Sequence, residues 1–380
     1  MPTTEVKPID VFKNFLKENG TRLEQKLGDY NDSLLKNAPN NFAQSMQYFT
    51  GINSGGKMLR AVLVNMGYYI FGGKDITYSD ELALSLEVFQ SSILIHDDLL
   101  DHGETRRGKD TVHVRIMKDF HINNEEILKR NPDVLKDFTN GFSVALGYMG
   151  LYMAYQKMIE AYGDNKNLPR ILKEYNDVVI KTVEGGIMDV VIPFQEKYKD
   201  FLPTDTSSVK LNPFDVIEQL AFLKTAYYTT MGPIVLGMML NGASDEAVFD
   251  ISAIMKDVGL AFQIQDDILG IYADADVLGK DVGSDVAECK QTFLYTFVKV
   301  NKPEALTELD KYYGKDNVTL EGLNVVRRIF KETGAYDFTY NKMEFHYNRA
   351  KEKLAALNYV SEEGKALILG FIEYLEARRK

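Results

Sequence analysis

Cysteine is nearly absent from this 380-residue chain, and its scarcity excludes two kinds of stabilisation. With Cys289 as the only thiol, an intramolecular disulfide and a cysteine-based zinc cluster are both impossible. Long apolar runs are also missing, since none approaches the roughly 18 residues of a membrane span. The N-terminus lacks the apolar core of a signal peptide. We therefore expect no transmembrane segment and a reducing, cytoplasmic location.

Positive charge is in short supply as well. The chain has 44 Lys and Arg against 55 Asp and Glu, for a net charge of −11. Binding to a nucleic-acid backbone relies on basic surface, so nucleic acid is not an expected partner. A local basic cluster can still hold a small anion. Hydrophobic residues make up 45% of the chain, which is enough for a large core and argues against disorder.

What the chain does contain is apolar helical periodicity, with little strand-like alternation. The pattern predicts long helices over 81–100, 141–162, 218–240, 246–274 and the last sixteen residues. A kink is expected at Gly232-Pro233. The simplest interpretation is one all-α domain over 1–380, because no flexible linker or repeat divides it. Two polar segments, 119–140 and 196–215, are predicted to be surface insertions, the first with a short helix of its own.

Two groups of aspartates lie at the ends of two of these apolar stretches: Asp97, Asp98 and Asp101, and then Asp266 and Asp267. Residues four apart share a helical face, so Asp97 and Asp101 should point together. Carboxylates crowded at the end of a buried helix need a cancelling charge. Mg²⁺ provides one, and it typically binds one or two carboxylates together with phosphate oxygens. The pattern predicts a shared site for several metal ions and a polyphosphate.

Basic residues near the first group extend this prediction to a second phosphate. Lys57 and Arg60 follow a glycine pair and are predicted to share one face of a helix start, where exposed N–H groups also bind phosphate. The alternative is a solvated first turn with two ordinary cations. Arg106 and Arg107 are adjacent, so they should point about 100° apart and address two phosphate groups. The alternative here is a basic loop that only balances the aspartates.

Together these motifs resemble the trans-isoprenyl diphosphate synthases, the family that includes farnesyl and geranylgeranyl diphosphate synthases. The resemblance covers about 55–291 and includes, in order, GGKMLR, DDLLD followed by RRGK, the Lys224-Thr225 pair, FQIQDD, GKDVGSD and CK at 289–290. It implies a single bundle of long helices around a central active-site cavity, commonly as a homodimer. It also implies Mg²⁺-dependent condensation of isopentenyl diphosphate with an allylic diphosphate, which is dimethylallyl, geranyl or farnesyl diphosphate.

The resemblance also implies roles for individual residues. Three Mg²⁺ ions, with substrate bound, would be held by Asp97, Asp98, Asp101, Asp266 and, more weakly, Asp267. The allylic diphosphate would be bound by Arg106, Lys224 and Lys280. Isopentenyl diphosphate would be bound by Lys57, Arg60, Gln90 and Arg107. The catalytic set would comprise Asp97, Asp266, Lys224, Thr225 and Gln263, with the oxygens of Thr225 and Gln263 stabilising a carbocation. Arg378, Arg379 and Lys380 resemble a tail that folds over the homoallylic pocket in some members.

The second acidic group departs from the family pattern. It reads DDILG, so Gly270 stands where many members have a third aspartate and one potential ligand is missing. Such departures leave a non-catalytic partner subunit open as an alternative. A class I terpene cyclase is the nearest enzyme alternative. It needs no second diphosphate site, so Lys57, Arg60 and Arg107 argue against it.

Product length is predicted from the residues before Asp97. Ser92 and Ile93 lie roughly 6–8 Å along the helix from Asp97, and Phe89 lies about 12 Å away. Because Ser92 is small and Ile93 moderate in size, the nearer level looks open, and Phe89 would close the pocket one turn deeper. We therefore expect geranylgeranyl diphosphate as the product, with farnesyl diphosphate or a longer product as alternatives.

Overall fold

α-Helices make up most of the residues that the computed structural model describes, which are 6–123, 125–131, 133–198, 211–273, 283–315 and 318–379. The expected all-α fold is confirmed. Within the described ranges the only strands are β1 (Thr105–Arg106) and β2 (Lys109–Asp110), which pair antiparallel. None of the helices described has the length and apolar content needed to cross a bilayer.

The helices, in chain order, are α1 (Pro8–Asn37), α2 (Ala43–Ile52), α3 (Leu59–Ile70), α4 (Asp80–Leu100), α5 (Val112–Asn123), α6 (Glu125–Arg130), α7 (Asp133–Tyr162), α8 (Leu168–Lys197), α9 (Pro213–Ala221), a π-helix (Phe222–Met231), α10 (Gly232–Leu240), α11 (Asp245–Tyr272), α12 (Ser284–Ala287), α13 (Phe293–Asn301), α14 (Pro303–Leu309), α15 (Leu320–Glu332), α16 (Ala335–Ala356) and α17 (Glu362–Glu376). Short 3₁₀ turns add Asn40–Phe42, Ile76–Ser79 and Ala377–Arg379.

The chain clusters into two compact units, which we name after the acidic group that each contains. The first-cluster unit comprises 13–172 and 233–243, and the second-cluster unit comprises 1–12, 173–232 and 244–380. Each is described by itself. The interpretation of 1–380 as a single domain stays a prediction, as does the central cavity.

In the first-cluster unit, α4 is buried on most of its faces and packs against α7 and α3. A helix that is apolar nearly all round belongs inside a bundle. The start of α4 is held by Asp80, a fully buried aspartate that accepts hydrogen bonds from Arg22 at 3.0 Å and from Asn65 at 2.9 Å. The buried charge is therefore paired, and the start of α4 is tied to α1 through Arg22 and to α3 through Asn65.

In the second-cluster unit, α11 is the central helix and packs against α16 and the π-helix. It begins at Ser244, whose side chain accepts the N–H of Ala247 as an N-cap. Near its middle, the fully buried Asp257 accepts hydrogen bonds from two α16 side chains, Arg349 at 2.9 Å and Lys353 at 2.8 Å. These ion pairs fix the register between α11 and α16, and with it the position of the second acidic group at the end of α11.

The two predicted insertions are described in part, and the first contains a short helix, as expected. The described part of 119–140 is helical: it contains the end of α5, the short helix α6 and the first turns of α7. Within 196–215, residues 199–210 lie outside the described part of the chain, and the flanking residues end α8 and begin α9. At the expected kink, the backbone adopts the π-helix Phe222–Met231 directly before Gly232. A π-helical segment of this kind is often found at a functional site.

Candidate active site

The first acidic group lies where α4 ends. Asp98 is buried, Asp97 is half-buried, and the N–H of Asp101 donates to the carbonyl of Asp97 at 2.8 Å. The β1–β2 hairpin then brings Arg106 back to the helix end. Its Nε donates to Asp98 Oδ1 at 2.7 Å, and its Nη2 lies 3.5 Å from Asp97 Oδ2. The structure thus places Asp97, Asp98 and Arg106 together, as the sequence predicts for a metal–diphosphate site.

Asp98 has a carboxylate oxygen that suits a cation. Burial raises the pKa of Asp98, and the neighbouring Arg106 only partly offsets this. Its Oδ2 is buried and has no hydrogen-bond partner among the described residues. Leaving such an atom unpaired costs about 1–3 kcal/mol, so a ligand that binds it is favoured. A hard divalent cation fits this oxygen chemistry.

Metal ligands are not fully preassembled from protein groups alone. Within the described ranges, no three Asp, Glu, His or Cys side chains converge closely enough to hold a metal ion. This agrees with the usual binding of Mg²⁺, in which one or two carboxylates act together with phosphate oxygens of the substrate.

Arg107 faces away from the aspartates. It adopts the left-handed backbone conformation, with φ of 53°, in the hairpin turn after β1. Its Nη1 donates to the carbonyl of Ser54 at 2.5 Å, beside the glycine pair. Arg106 and Arg107 therefore point toward different groups, as expected. Both line a cavity of about 460 Å³ with Asp98, Lys109 and Arg115, so cations surround space large enough for a diphosphate.

The predicted helix start at Lys57 is wrong. Helix α3 begins at Leu59, and Met58 before it is left-handed with φ of 51°. Lys57 therefore precedes the helix and is exposed, and it does not share a helical face with Arg60. No periodicity argument detects a single left-handed residue, so the sequence placed the helix two residues early. Gln90 is half-buried on α4.

A buried carboxylate that the sequence did not single out lies beside these cations. Glu87 accepts the N–H of Ala61 at 3.2 Å in the first turn of α3. Burial raises its pKa, while Arg60 and Arg107 act in the opposite direction. Glu87 thus supplies a negative charge next to two of the predicted isopentenyl diphosphate ligands.

The second acidic group lies in the last two turns of α11. Asp266 Oδ1 accepts a hydrogen bond from Arg378 at 2.9 Å, and the Arg378 guanidinium lies over the ring of Phe262 at 4.7 Å. Asp267 accepts a hydrogen bond from Gln263 at 2.7 Å. Burial and the nearby charge of Asp285 raise the pKa of Asp267 well above its ordinary value. A tail residue from the end of the chain therefore supplies the cation at Asp266.

Lys224 and Lys290 meet at one buried carboxylate in the same unit. Lys224, in the π-helix, donates to Asp189 Oδ2, and Lys290 donates to the same oxygen at 2.5 Å. Burial raises the pKa of Asp189, but the two lysines outweigh it and the net direction is down. Thr225, next to Lys224, is half-buried. Lys280 and Lys380 lie outside the described residues.

Sequence reasoning missed Asp285 and Lys290 as site residues. Each lies within a motif, GKDVGSD or CK, but the sequence alone gives neither residue a role. Their placement depends on how the chain returns after 274–282 to approach α11 and α8. The sequence does contain a signal for both residues. Asp285 is the second aspartate of GKDVGSD, and Lys290 directly follows Cys289.

The sequence predicts an open chain-length pocket beside Ser92, and the structure does not agree. Ser92 is buried on α4, and its hydroxyl donates to the carbonyl of Gly147 in α7. A Cβ on Gly150 would lie 3.3 Å from Ser92 Cβ, so the two helices are in close contact there. Helix α7 fills the space beside Ser92. Phe89 is also buried, whereas Ile93 is half-buried.

Comparison with known proteins supports the same interpretation. The sequence profile of the family described as polyprenyl synthetase matches residues 39–331. A geranylgeranyl diphosphate synthase from Methanosarcina mazei is 28% identical over 336 residues, which cover 86% of this chain and 87% of that protein. A geranylfarnesyl diphosphate synthase from Aeropyrum pernix is 26% identical over 332 residues, covering 87% of this chain and 92% of that protein.

Solved structures agree on the fold. A geranylgeranyl pyrophosphate synthase from Corynebacterium glutamicum, complexed with isoprenyl diphosphate and magnesium, matches with a TM-score of 0.80 at 24% identity. The match covers 97% of this chain and 99% of that chain. Fold and relatives together define a prenyltransferase. Because the family profile spans well over half of its length, this chain belongs to the polyprenyl synthetase family.

Proposed function

We propose that this prenyltransferase condenses isopentenyl diphosphate with an allylic diphosphate in a Mg²⁺-dependent reaction and releases pyrophosphate. The observation that carries the proposal is the end of α4, where the unpartnered oxygen of Asp98 lies on the same cavity as Arg106 and Arg107. An acidic group for a metal and two separately directed arginines suit two diphosphate substrates. Relatives that are 28% and 26% identical are named as synthases of geranylgeranyl and geranylfarnesyl diphosphates.

In the proposed assignment, three Mg²⁺ ions bind with the allylic diphosphate. Their ligands come from Asp97, Asp98, Asp101 and Asp266, with Asp267 as a weaker contributor. When bound, the metal ions would stabilise the negative charge on the leaving diphosphate, and electrostatic stabilisation of this kind usually dominates catalysis. Arg106, Lys224 and Lys280 hold the same diphosphate. Lys57, Arg60, Gln90 and Arg107 hold isopentenyl diphosphate.

The reaction proceeds by ionisation and capture. The allylic carbon–oxygen bond breaks, and its electron pair leaves with the diphosphate. Side-chain oxygens of Thr225 and Gln263 stabilise the allylic cation by their dipoles. The double bond of isopentenyl diphosphate then attacks the cationic carbon and forms the new carbon–carbon bond. The resulting tertiary cation loses a proton to the released pyrophosphate.

Geranylgeranyl diphosphate is the proposed product, since a relative of that specificity is 28% identical over most of both chains. The buried Phe89 is the proposed floor of the chain-length pocket. Ser92 packs against α7. We therefore assign the pocket wall closest to Asp97 to the half-buried Ile93 instead. Farnesyl diphosphate or a longer chain is the alternative product.

The proposed active form is a homodimer. Helix α8 exposes apolar side chains at intervals of three and four residues, a spacing that places them on one face: Ile180, Val183, Ile187, Val190, Val191 and Phe194. Helix α7 separately exposes Phe138, Val144, Tyr148, Tyr152 and Ile159. Apolar stripes of this extent mark protein contact surfaces. A second copy of the chain is the partner that the family resemblance implies.

One assay tests the function. The purified chain is incubated with Mg²⁺, labelled isopentenyl diphosphate and dimethylallyl, geranyl or farnesyl diphosphate in turn, and the products are sized. A linear C20 diphosphate is the expected product, and omission of Mg²⁺ should abolish it. A cyclised hydrocarbon would identify a terpene cyclase instead. Absence of turnover with every primer would favour a non-catalytic partner subunit.

A further inference from the structure

The cavity beside Arg107 extends beyond the residues that are assigned to the two substrates. Its walls come from the end of α2 and the glycine pair after it, from the β1–β2 hairpin and from the start of α5. Of the described residues predicted to bind isopentenyl diphosphate, only Arg107 lines it. Lys109 and Arg115 also line it, although the sequence predicts neither as a substrate ligand. The cavity therefore has cationic groups beyond those of the two substrate sites.

The acidic side chains of this cavity are each balanced by a cation. Asp98 accepts a hydrogen bond from Arg106 at 2.7 Å. Asp110 accepts hydrogen bonds at both carboxylate oxygens from Lys118, each at 2.8 Å. The other cations that line the cavity are not neutralised by these two acids, so they give it an excess of positive charge. An excess of this kind attracts an anion.

Arg115 is held at the cavity wall by an aromatic ring and a glycine. Its guanidinium carbon lies 5.3 Å from the centre of the Tyr48 ring, which is a cation–π contact. The Tyr48 hydroxyl donates to Asp119 at 2.6 Å and so fixes the ring. A Cβ on Gly51 would lie 2.5 Å from Arg115 Nη1, so glycine at this position leaves room for the guanidinium. Among the described residues, no carboxylate lies within ion-pair distance of Arg115, and its N–H groups can bind a ligand.

The start of α5 adds to the attraction for an anion. Helix α5 is 12 residues long and begins at Val112, which lines the cavity together with Thr111. The first N–H groups of a helix have no partner within it, and they bind phosphate oxygens well. Arginine adds a contact at two points. Because Arg115 lies on α5 and Lys109 on the hairpin, cations on two walls suit a ligand with two phosphoryl groups.

We propose that this cavity binds inorganic pyrophosphate without metal, with Arg115 and Lys109 as ligands and Arg107 shared with isopentenyl diphosphate. The choice of pyrophosphate rests on the proposed function, which releases it. Because Arg107 serves both sites, pyrophosphate bound here competes with isopentenyl diphosphate and inhibits the enzyme. The purely structural alternative is that Arg115 only packs α5 against α2.

Isothermal titration calorimetry of the full chain with inorganic pyrophosphate, without Mg²⁺ and at constant ionic strength, measures this binding separately from turnover. Arg115→Gln should weaken the affinity about 10-fold, the usual effect of losing one charge-assisted hydrogen bond. Gly51→Ala should act in the same direction, because its methyl group displaces the Arg115 guanidinium. Lys109→Gln, at an exposed position, should also weaken the affinity and decides the matter if thermal unfolding shows that Arg115→Gln does not fold.

Two matched variants locate the binding. Arg130→Gln removes an exposed arginine from the end of α6 and should leave the affinity for pyrophosphate unchanged. Lys57→Gln removes a predicted ligand of isopentenyl diphosphate that lies outside the described lining of the cavity. It should raise KM for isopentenyl diphosphate and leave the metal-free affinity for pyrophosphate nearly constant. In steady-state kinetics, Arg115→Gln should raise the inhibition constant of pyrophosphate by a larger factor than it raises KM.

The outcomes separate this inference from the proposed function. If folded Arg115→Gln and Lys109→Gln bind pyrophosphate as tightly as the unchanged chain, or if the unchanged chain does not bind it without Mg²⁺, the inference is overturned. Equal losses in Lys57→Gln and Arg115→Gln would overturn it too, because pyrophosphate would then occupy the isopentenyl diphosphate site. Inorganic phosphate that binds as tightly as pyrophosphate would overturn the choice of ligand. Absence of condensation with every primer would defeat the proposed function and leave the binding result intact.

Discussion

At the scale of single residues, the backbone conformation directs the side chains of the adjacent Arg106 and Arg107 to different groups. Arg106 lies in β1 and turns to Asp97 and Asp98, whereas Arg107 is left-handed and turns to the carbonyl of Ser54. One hairpin thus presents two guanidinium groups in two directions. The planar fork of arginine binds phosphate at two points, which lysine cannot do.

Replacing Arg106 by lysine and replacing Arg107 by lysine should therefore each weaken the binding of a different substrate. Arg107→Lys should raise KM for isopentenyl diphosphate about tenfold, because a bidentate contact becomes a single one. KM for the allylic diphosphate should stay nearly constant. Arg106→Lys is the matched variant and should show the reverse pattern. Steady-state kinetics with each substrate varied in turn makes the comparison. Equal effects of both variants on both substrates would contradict the division.

Ser92 and Ile93 offer a second contrast between neighbouring residues. Ser92→Phe forces a ring into the close contact between α4 and α7, and overpacking of this kind costs about 1–3 kcal/mol or more. A lowered Tm is the expected result. Ile93→Phe, at a half-buried position, should keep the Tm and shorten the product. Differential scanning calorimetry and product sizing check both variants. A stable Ser92→Phe enzyme with an unchanged Tm would show that α7 yields at this contact.

At the scale of elements, the position of the second acidic group depends on how α16 is fixed to α11. Asp257 is fully buried and accepts hydrogen bonds from His346 at 3.0 Å, from Arg349 and from Lys353. Although burial raises the pKa of Asp257, the hydrogen bonds from these partners outweigh it and lower the pKa well below its ordinary range. The ionised carboxylate thus bridges the two helices.

Asp257→Asn should lower the free energy of unfolding by about 2 kcal/mol, because the buried carboxylate loses the charge that strengthens its hydrogen bonds with the partly exposed Arg349 and Lys353. Denaturant unfolding measures this change. Asp337→Asn breaks an exposed ion pair with Lys331 and should have no measurable effect. Similar losses in both variants would mean that burial does not matter here.

The same carboxylate implies a pH dependence. Its pKa is lower in the folded chain than in the unfolded chain, so the stability it contributes is present above the ordinary aspartate pKa of about 3.9. That stability is lost as the pH falls through the lower folded-state pKa. Unfolding of the unchanged chain should therefore become easier from about pH 4 downward. The Asp257→Asn variant should lack this part of the acid dependence.

The sequence predicts elements well when their signal is local. The helix predicted at 81–100 is α4, Asp80–Leu100, and the one predicted at 246–274 is α11, Asp245–Tyr272. The sequence does not predict the conformation of an individual residue. Met58 is left-handed, so α3 begins later than expected. The π-helix has no distinct hydrophobic periodicity by which it could be predicted. The hydrophobic pattern reports faces of helices, and it does not report one residue that leaves the helical conformation.

At the scale of the whole molecule, the first acidic group was predictable because its residues lie within ten positions of Arg106. The second was predictable only in part. Asp285 lies beside Gly270 although it belongs to a later segment, and Arg378 reaches Asp266 from 112 positions further along the sequence. Contacts between distant segments depend on the tertiary packing of α11, α12 and the end of α17. No spacing within a motif specifies them.

Assembly is the other property that belongs to the whole molecule. The exposed stripe on α8 repeats as Ile180, Val183, Ile187 and Phe194, which keeps one helical face apolar over several turns. Ile187 is 58% exposed and lies near the middle of this stripe. In a homodimer it would be buried, and a charge there would remain unpaired. Desolvation of an unpaired carboxylate costs several kcal/mol, enough to separate most dimers at micromolar concentration.

Ile187→Glu should therefore convert the dimer into monomers, as measured by sedimentation equilibrium, while the helical circular dichroism spectrum is retained. Phe249→Glu is the matched control. Phe249 is 74% exposed on α11 and does not belong to either apolar stripe, so a charge there should leave the association state unchanged. If both variants sediment like the unchanged chain, the α8 stripe does not form the interface. If the unchanged chain is itself a monomer at micromolar concentration, the proposed homodimer is wrong.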